Sequence, residues 1–346
     1  MSQPTRHFAS DNYAPVHPTV LEAIERANRD HVVAYGDDAL TASLRDAVKD
    51  HFGSHAEVFP VFNGTGANIV SLQSITKRWE AVITAATGHV NVDEGGAPEK
   101  MAGLKLLTVP TTDGKLTPSL IDTQAWGFGD VHRSQPGAVT ITQSTESGTV
   151  YSIDEVTAVT THAHGLGMRT HLDGARIANA AAYLECGMRA FTTDAGVDVL
   201  SFGGTKNGLM LGEAVIVLND QASQGVDFLR KTSMQLASKM RYISAQLLAL
   251  LTDDLWLRNA QHANEMARLL ESSIRDLPGV KVMRPVHANA LFAIIPEAVA
   301  TAMQSEYRFY TWDHTTGEVR LMCSWDTTAD DIRAFATSLA RHLSEA

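Results

Sequence analysis

Three polar stretches carry residue types that could share one reaction. In HLDGARIANA, Asp173 follows an apolar run and Arg176 stands three residues later. In SFGGTKNGLMLGEAV, Lys206 lies in a glycine-rich turn between VDVLSF and EAVIVL, 33 residues after Asp173. NGTGAN, from Asn63 to Asn68, follows AEVFPVF. An aspartate in a covered sheet needs a cationic or N–H partner, and a protonated ring nitrogen is one. A partly buried lysine amine can form a Schiff base. The N–H groups at a helix start favour a phosphate, and Gly64 and Gly66 would allow close approach. Singly, each has an ordinary reading: a plain turn, a capping aspartate with a surface arginine, a solvated lysine. The dinucleotide fingerprint fails at its third glycine, where Ile69 stands, and no P-loop lysine follows, so a single terminal phosphate fits better.

The surrounding pattern decides whether these stretches meet. AEVFPVF, AVIT, LKLLTVP, GAVTITQ, MRTHL, VDVLSF and EAVIVL read as strands. Helices alternate with them: NGTGANIVSLQSITKRW after a turn, TPSLIDTQAW, SIDEVTAVTTHAHGLG with a capping box at Ser152 and Glu155, and GARIANAAAYLEC. HPTVLEAIERANRD and DDALTASLRDAVKDHFG precede them as amphipathic helices, and TGHVNVDEGGAPEK reads as a long polar loop. Such alternation predicts an α/β fold with a mostly parallel central sheet covered by helices on both faces. Ligands sit beyond the carboxyl ends of such strands, so Asp173 and Lys206 would share one crevice. A phosphate loop, an aspartate and a lysine on strand ends are the parts of a pyridoxal-phosphate site. After about residue 250 the pattern changes to the long helix WLRNAQHANEMARLLESSIRDLPG, the strands VKVMRP, ALFAII and EVRLMCSW, and a terminal helix. The expected division is an N-terminal arm and large domain over 1–249 and a small α+β domain over 250–346.

Composition excludes other classes. The 346 residues carry a formal charge of −11 and no Lys/Arg run, which argues against nucleic-acid binding. No apolar run approaches the roughly 18 residues of a membrane helix, and the N-terminus has no apolar signal region. Cys186 and Cys323 are too few for a disulfide framework. A cytoplasmic protein is expected. His162, His164 and His171 are split between a helix and a strand, so no metal site is expected. Trp256, Trp312 and Trp325 read as core or interface, and Asp93 and Glu94 as residues that orient the following GG turn.

Over nearly its whole length the chain resembles the threonine aldolases, within the fold-type I pyridoxal-phosphate enzymes and their β-eliminating-lyase branch. The resemblance is carried by SDN at Ser10, YGDD at Tyr35, NGTGAN, HVNVDEGG, HLDGAR, GGTKNG, KMR at Lys239 and VRLMCSWD at Val319. It implies that Lys206 holds the cofactor as a Schiff base, Asp173 pairs with its ring nitrogen, and His89 stacks on the ring. It further implies that Gly64, Thr65 and Thr205 hold the phosphate, with Gly203 and Gly204 giving the backbone room. Arg176 would lie near the ring oxygen or the substrate. Ser10 and Arg320 would bind the substrate carboxylate. Tyr35 and Arg241 would face a neighbouring subunit's site in a homo-oligomer, a tetramer in most of the family. The implied reaction is retro-aldol cleavage of an L-β-hydroxy-α-amino acid, such as threonine or phenylserine, to glycine and an aldehyde.

One departure concerns the base. Where many members carry a histidine, the text here is QSTESG and Glu146 takes that place. His89 and Glu146 are both candidates, and His89 is preferred because an imidazole titrates near neutrality. Lys206, Asp173 and a carboxylate-binding arginine would also suit β-elimination, transamination or racemisation, and a non-catalytic binding protein could keep the fold.

Overall fold

The computed structural model describes residues 6–345. Residues 1–5 of the expected N-terminal arm and the last residue of the small domain lie outside the described residues.

Seven strands form the large sheet: β1 (Glu57–Val61), β2 (Glu80–Ala85), β3 (Lys105–Val109), β4 (Gln135–Thr142), β5 (Arg169–Gly174), β6 (Val199–Gly203) and β7 (Glu213–Val217). Their order is β1-β7-β6-β5-β4-β2-β3. β7 runs antiparallel to both neighbours, so the other six share one direction. Alternate residues serve opposite faces. Ala81, Ile83, Leu172, Leu200 and Ile216 join one apolar cluster, whereas Val82, Val199, Val215 and Val217 join another. That division is what two covered faces require. The second cluster is closed by Ala67, Val70 and Leu72 of the helix Gly64–Ile75.

Four further strands, β8 (Lys281–Val282), β9 (Ala290–Ile294), β10 (Tyr310–Asp313) and β11 (Glu318–Met322), form an antiparallel sheet in the order β10-β11-β9-β8. The helices Leu255–Ile274, Glu297–Glu306 and Ala329–Glu345 pack on it around Leu270, Leu291, Leu321 and Phe335. Phe8 belongs to this cluster, with its N–H on Arg308 O at 2.9 Å and its carbonyl accepting Met322 N at 2.9 Å. The N-terminal arm is therefore tied to the C-terminal sheet.

Local differences from the sequence expectation have identifiable causes. The polar stretch after β2 is not loop: it folds as two single-turn helices, His89–Val92 and Ala97–Lys100, joined through Gly95 and Gly96 at φ 60° and 73°. Two left-handed residues reverse the chain there, and Pro98 suits the following helix start. No turn precedes the Gly64–Ile75 helix, because Asn63 is its N-cap and accepts Gly66 N at 2.8 Å. TPSLIDTQAW is helical only over Pro118–Asp122. Among the described residues no helix is long and apolar enough to cross a membrane.

Candidate active site

The common strand direction delivers Asn63, His89, Glu146, Asp173 and Lys206 to one edge, following β1, β2, β4, β5 and β6. β7 enters at that edge with Glu213, which lies opposite both Val61 and Gly203.

Asp173 is 4% exposed. Its Oδ1 accepts Ala175 N at 3.0 Å and its Oδ2 accepts Asn68 Nδ2 at 2.9 Å. Among the described residues it has no ion-pair partner. A buried anion held only by N–H groups is poised for a cation. Two residues back on the same face, His171 bridges Thr140 Oγ1 and Ser201 Oγ, each at 2.8 Å. Burial pushes its imidazole down to about 4, so it stays neutral near pH 7. His162 meets Asp122 and His164 meets Asp198, so the three sequence-adjacent histidines serve three separate places.

The other Nδ2 hydrogen of Asn68 reaches Glu94 Oε1 at 2.7 Å, and the same oxygen faces His89 Nδ1 at 2.9 Å. The Glu94 side chain is fully buried. The hydrogen bond to Glu94 raises the His89 imidazole above its ordinary value, against its own burial; the Asp173 charge adds to the rise and Lys206 opposes it. Glu94 is thus part of the site rather than a brace for the GG turn. The sequence pattern drew attention to the glycines of NGTGAN and not to Asn68, whose position four residues after Gly64, the first residue of the helix, places it on the sheet-facing side. Glu146 lies alongside: its Oε1 accepts His89 N at 2.8 Å and Thr142 Oγ1 at 3.0 Å, while Oε2 is buried without a partner. Burial, reinforced by the Asp173 charge, pushes the Glu146 carboxyl up to about 7.

Lys206 sits in a single 3-10 turn, Thr205–Asn207, closed by Gly208 at φ 104°. It is half-buried and makes no hydrogen bond or ion pair among the described residues, yet its charge is felt at Asp11, His89 and Glu213. Glu213 holds this turn, accepting Gly204 N at 2.8 Å and Thr205 N at 3.4 Å. Thr205 Oγ1 accepts Gly212 N at 3.2 Å, so the hydroxyl expected to serve a phosphate also braces its own loop. Gly203 and Gly204 likewise answer to the chain. A Cβ on Gly203 would collide with the Ala175 carbonyl, and one on Gly204 would lie 2.7 Å from Gly212 O. Gly203→Ala is therefore expected to destabilise the protein by about 2–3 kcal/mol, since backbone must give way; urea unfolding of the variant measures this.

The start of the Gly64–Ile75 helix is open. Gly64 and Thr65 N–H groups have no acceptor among the described residues, and a Cβ on Gly64 meets nothing within 4 Å. Gln235 lies across Gly66, with its Oε1 on Phe62 N at 3.0 Å. An anion-accepting helix start, a buried anion without a cation and an unengaged lysine together fit pyridoxal phosphate.

A second group converges from the small sheet. Asp11 grips Arg176 through both oxygens, at 2.7 and 2.9 Å, and also accepts Asn289 Nδ2 at 3.1 Å. Ser10 caps the turn that presents Asp11, its Oγ accepting Asn12 N at 3.2 Å. Arg320 donates to Ala9 O at 3.2 Å and lies 4.6 Å from the Trp312 ring centroid, so Trp312, which packs on the Phe292 cluster as expected of a core residue, also backs this corner. Its Nε is buried without a partner. Burial, then the Arg176 charge, push its guanidinium down to about 10. A cation so placed is short of an anion. Tyr35 and Arg241 are not brought to this edge. Tyr35 is half-exposed at φ 62° with its N–H on Ser238 O, and Arg241 donates to Arg29 and Asp30 carbonyls.

The Beta-eliminating lyase family model matches residues 7–298. The low specificity L-threonine aldolase of Pseudomonas sp. (strain NCIMB 10558) is 45% identical over 98% of both chains. That of Pseudomonas aeruginosa is 44% identical over the same share. The threonine aldolase structure from Leishmania major superposes with a TM-score of 0.92 at 28% identity, covering 98% of this chain and 99% of the other.

Proposed function

The chain belongs to the β-eliminating lyase family, and on that footing we propose that it is a pyridoxal-5'-phosphate-dependent aldolase that cleaves L-threonine and related L-β-hydroxy-α-amino acids to glycine and an aldehyde. The observation that carries this reading is the buried, cation-free Asp173 one strand from an unengaged Lys206, with Arg320 short of an anion across the edge.

Lys206 would hold the cofactor's aldehyde carbon, Asp173 its ring nitrogen, and Gly64, Thr65 and Thr205 its phosphate, with His89 against the ring. The cofactor, when bound, supplies an electron sink for the pair released as the Cα–Cβ bond breaks. Arg320 binds the substrate carboxylate, its fork able to take both oxygens. Ser10 and Arg176 support that corner through Asp11. His89 takes the hydroxyl proton on Nε2, since Nδ1 is committed to Glu94. Glu146 holds the His89 backbone in place.

Two expected results follow from this division of labour. Arg320→Ala should raise KM about 100-fold, ~2.7 kcal/mol, with a smaller change in kcat. His89→Asn should lower kcat about 100-fold and Glu146→Gln by a smaller factor at intact cofactor occupancy; if neither slows cleavage, the proton assignment is wrong. Incubation with L-threonine and L-phenylserine tests the reaction itself: glycine and aldehyde are expected, and oxo acid with ammonia instead would put elimination in its place.

The same reading makes the enzyme a cytoplasmic homo-oligomer whose phenylserine activity accompanies threonine cleavage. Tyr35 and Arg241 then serve a neighbouring subunit's site. Exposed Phe62, Met210 and Leu211, which line a hollow with Lys239 and Tyr242, support a partner at that face. The division at residues 249 and 250 belongs to the proposal too, supported by the separate sheets.

A further inference from the structure

Glu94 enters the roles above only through its contact with His89 Nδ1, and its other contacts give it a larger place in the site. One of its oxygens, Oε1, accepts Asn68 Nδ2 at 2.7 Å and faces His89 Nδ1 at 2.9 Å, and its side chain has no exposed surface. The same Asn68 nitrogen donates to Asp173 Oδ2 at 2.9 Å. Two carboxylates therefore converge on one neutral amide. Like charges so placed require positive partners on their outer sides. Asp173 meets one in the cofactor's ring nitrogen. Glu94 has one candidate among the described residues, the His89 ring.

We infer that Glu94 is the positioning residue for His89: it fixes the hydrogen on Nδ1, leaves Nε2 as the exchanging nitrogen, and holds the ring in register with Asp173 through Asn68. The Nδ1 hydrogen is dictated by chemistry, because a carboxylate oxygen in this bond can only accept. Asn68 suits the junction because its amide donates twice and carries no charge. The charged groups that face His89 are Glu94, Asp173 and Lys206, with Glu146 at its backbone N–H. Of these, Glu94 is the largest influence, and it lifts the imidazole above its ordinary value. The kinetic part of the inference rests on the aldolase reading; the titration part does not.

The test is a proton NMR titration of histidine-labelled holoenzyme, with His89→Asn assigning the signal. In the wild type His89 should titrate above about 6.5 and keep a hydrogen on Nδ1 throughout. In Glu94→Gln its proton affinity should fall at least tenfold. A wild-type His89 that titrates at or below the ordinary value overturns the inference without any Glu94 variant. So does an unchanged titration in Glu94→Gln. A double-mutant cycle adds the kinetic readout. Glu94→Gln should lower kcat/KM tenfold or more in the wild-type background and less than twofold in the His89→Asn background. Losses that multiply would mean that Glu94 does not act through His89. A wild-type enzyme that releases no aldehyde would refute the aldolase reading and leave the titration result standing.

Discussion

Lys206→Ala is expected to cut aldehyde release about 10³-fold or more, ~4 kcal/mol of barrier, while leaving the fold intact. The two halves of this expectation come from different observations. Lys206 has no hydrogen bond or ion pair among the described residues, so its removal breaks no direct contact of that kind. The turn that carries it is held by Glu213, Gly204 and Thr205, none of which involves the lysine side chain. The cofactor-free variant should therefore unfold within about 0.5 kcal/mol of the cofactor-free parent. The holoenzyme should lose the visible band of the lysine-bound cofactor. A variant that keeps this band and its turnover would remove Lys206 from the chemistry. One that loses activity only because it unfolds would remove the claim that the turn is self-supporting.

Asp173→Asn should cost almost as much activity, about 10²–10³-fold in kcat, and should also cost stability. The substitution removes a buried negative charge that no cation balances among the described residues and, on the reading proposed above, the means of keeping the ring nitrogen protonated. It also changes the local hydrogen bonds. One amide oxygen can still accept Ala175 N, but the other position becomes an NH2 group facing the Asn68 NH2. Two donors then confront one another in a dry site, which costs about 1–3 kcal/mol. Kinetics at saturating cofactor separate the chemical loss from weaker occupancy, and denaturant unfolding of the cofactor-free protein isolates the stability loss.

Much of the site was legible because it follows from strand direction. Asp173 and Lys206 end successive strands, and parallel neighbours must bring such ends together. The apolar alternation also revealed the two covered faces. What stayed hidden was set by contacts across long separations. Asn68 to Asp173 spans 105 residues, and Asp11 to Arg176 spans 165. No local propensity marks either pair. A second demand on Gly203 stayed hidden for a related reason. A glycine pair beside a lysine suggests room for a ligand, and the pattern does not reveal that the Ala175 carbonyl on the adjoining strand end also leaves no space for a Cβ there. β10 escaped notice because its alternation is short and its residues are only half-buried at best.

The N-terminal arm has a consequence for how the molecule is made. Phe8 is hydrogen-bonded to Arg308 and Met322, Ala9 to Arg320, and Asp11 to Asn289. The first dozen residues leave the ribosome long before any of these partners exist. The large sheet can assemble during translation, since β1 to β7 are complete by Val217. The corner proposed to receive the substrate carboxylate cannot. It closes only when β11 has been synthesised and the opening segment of the chain has bridged some 300 residues to meet it. A nascent chain stalled before that point would hold Lys206 and Asp173 correctly and still lack its grip on substrate, so competence arrives with the last strand.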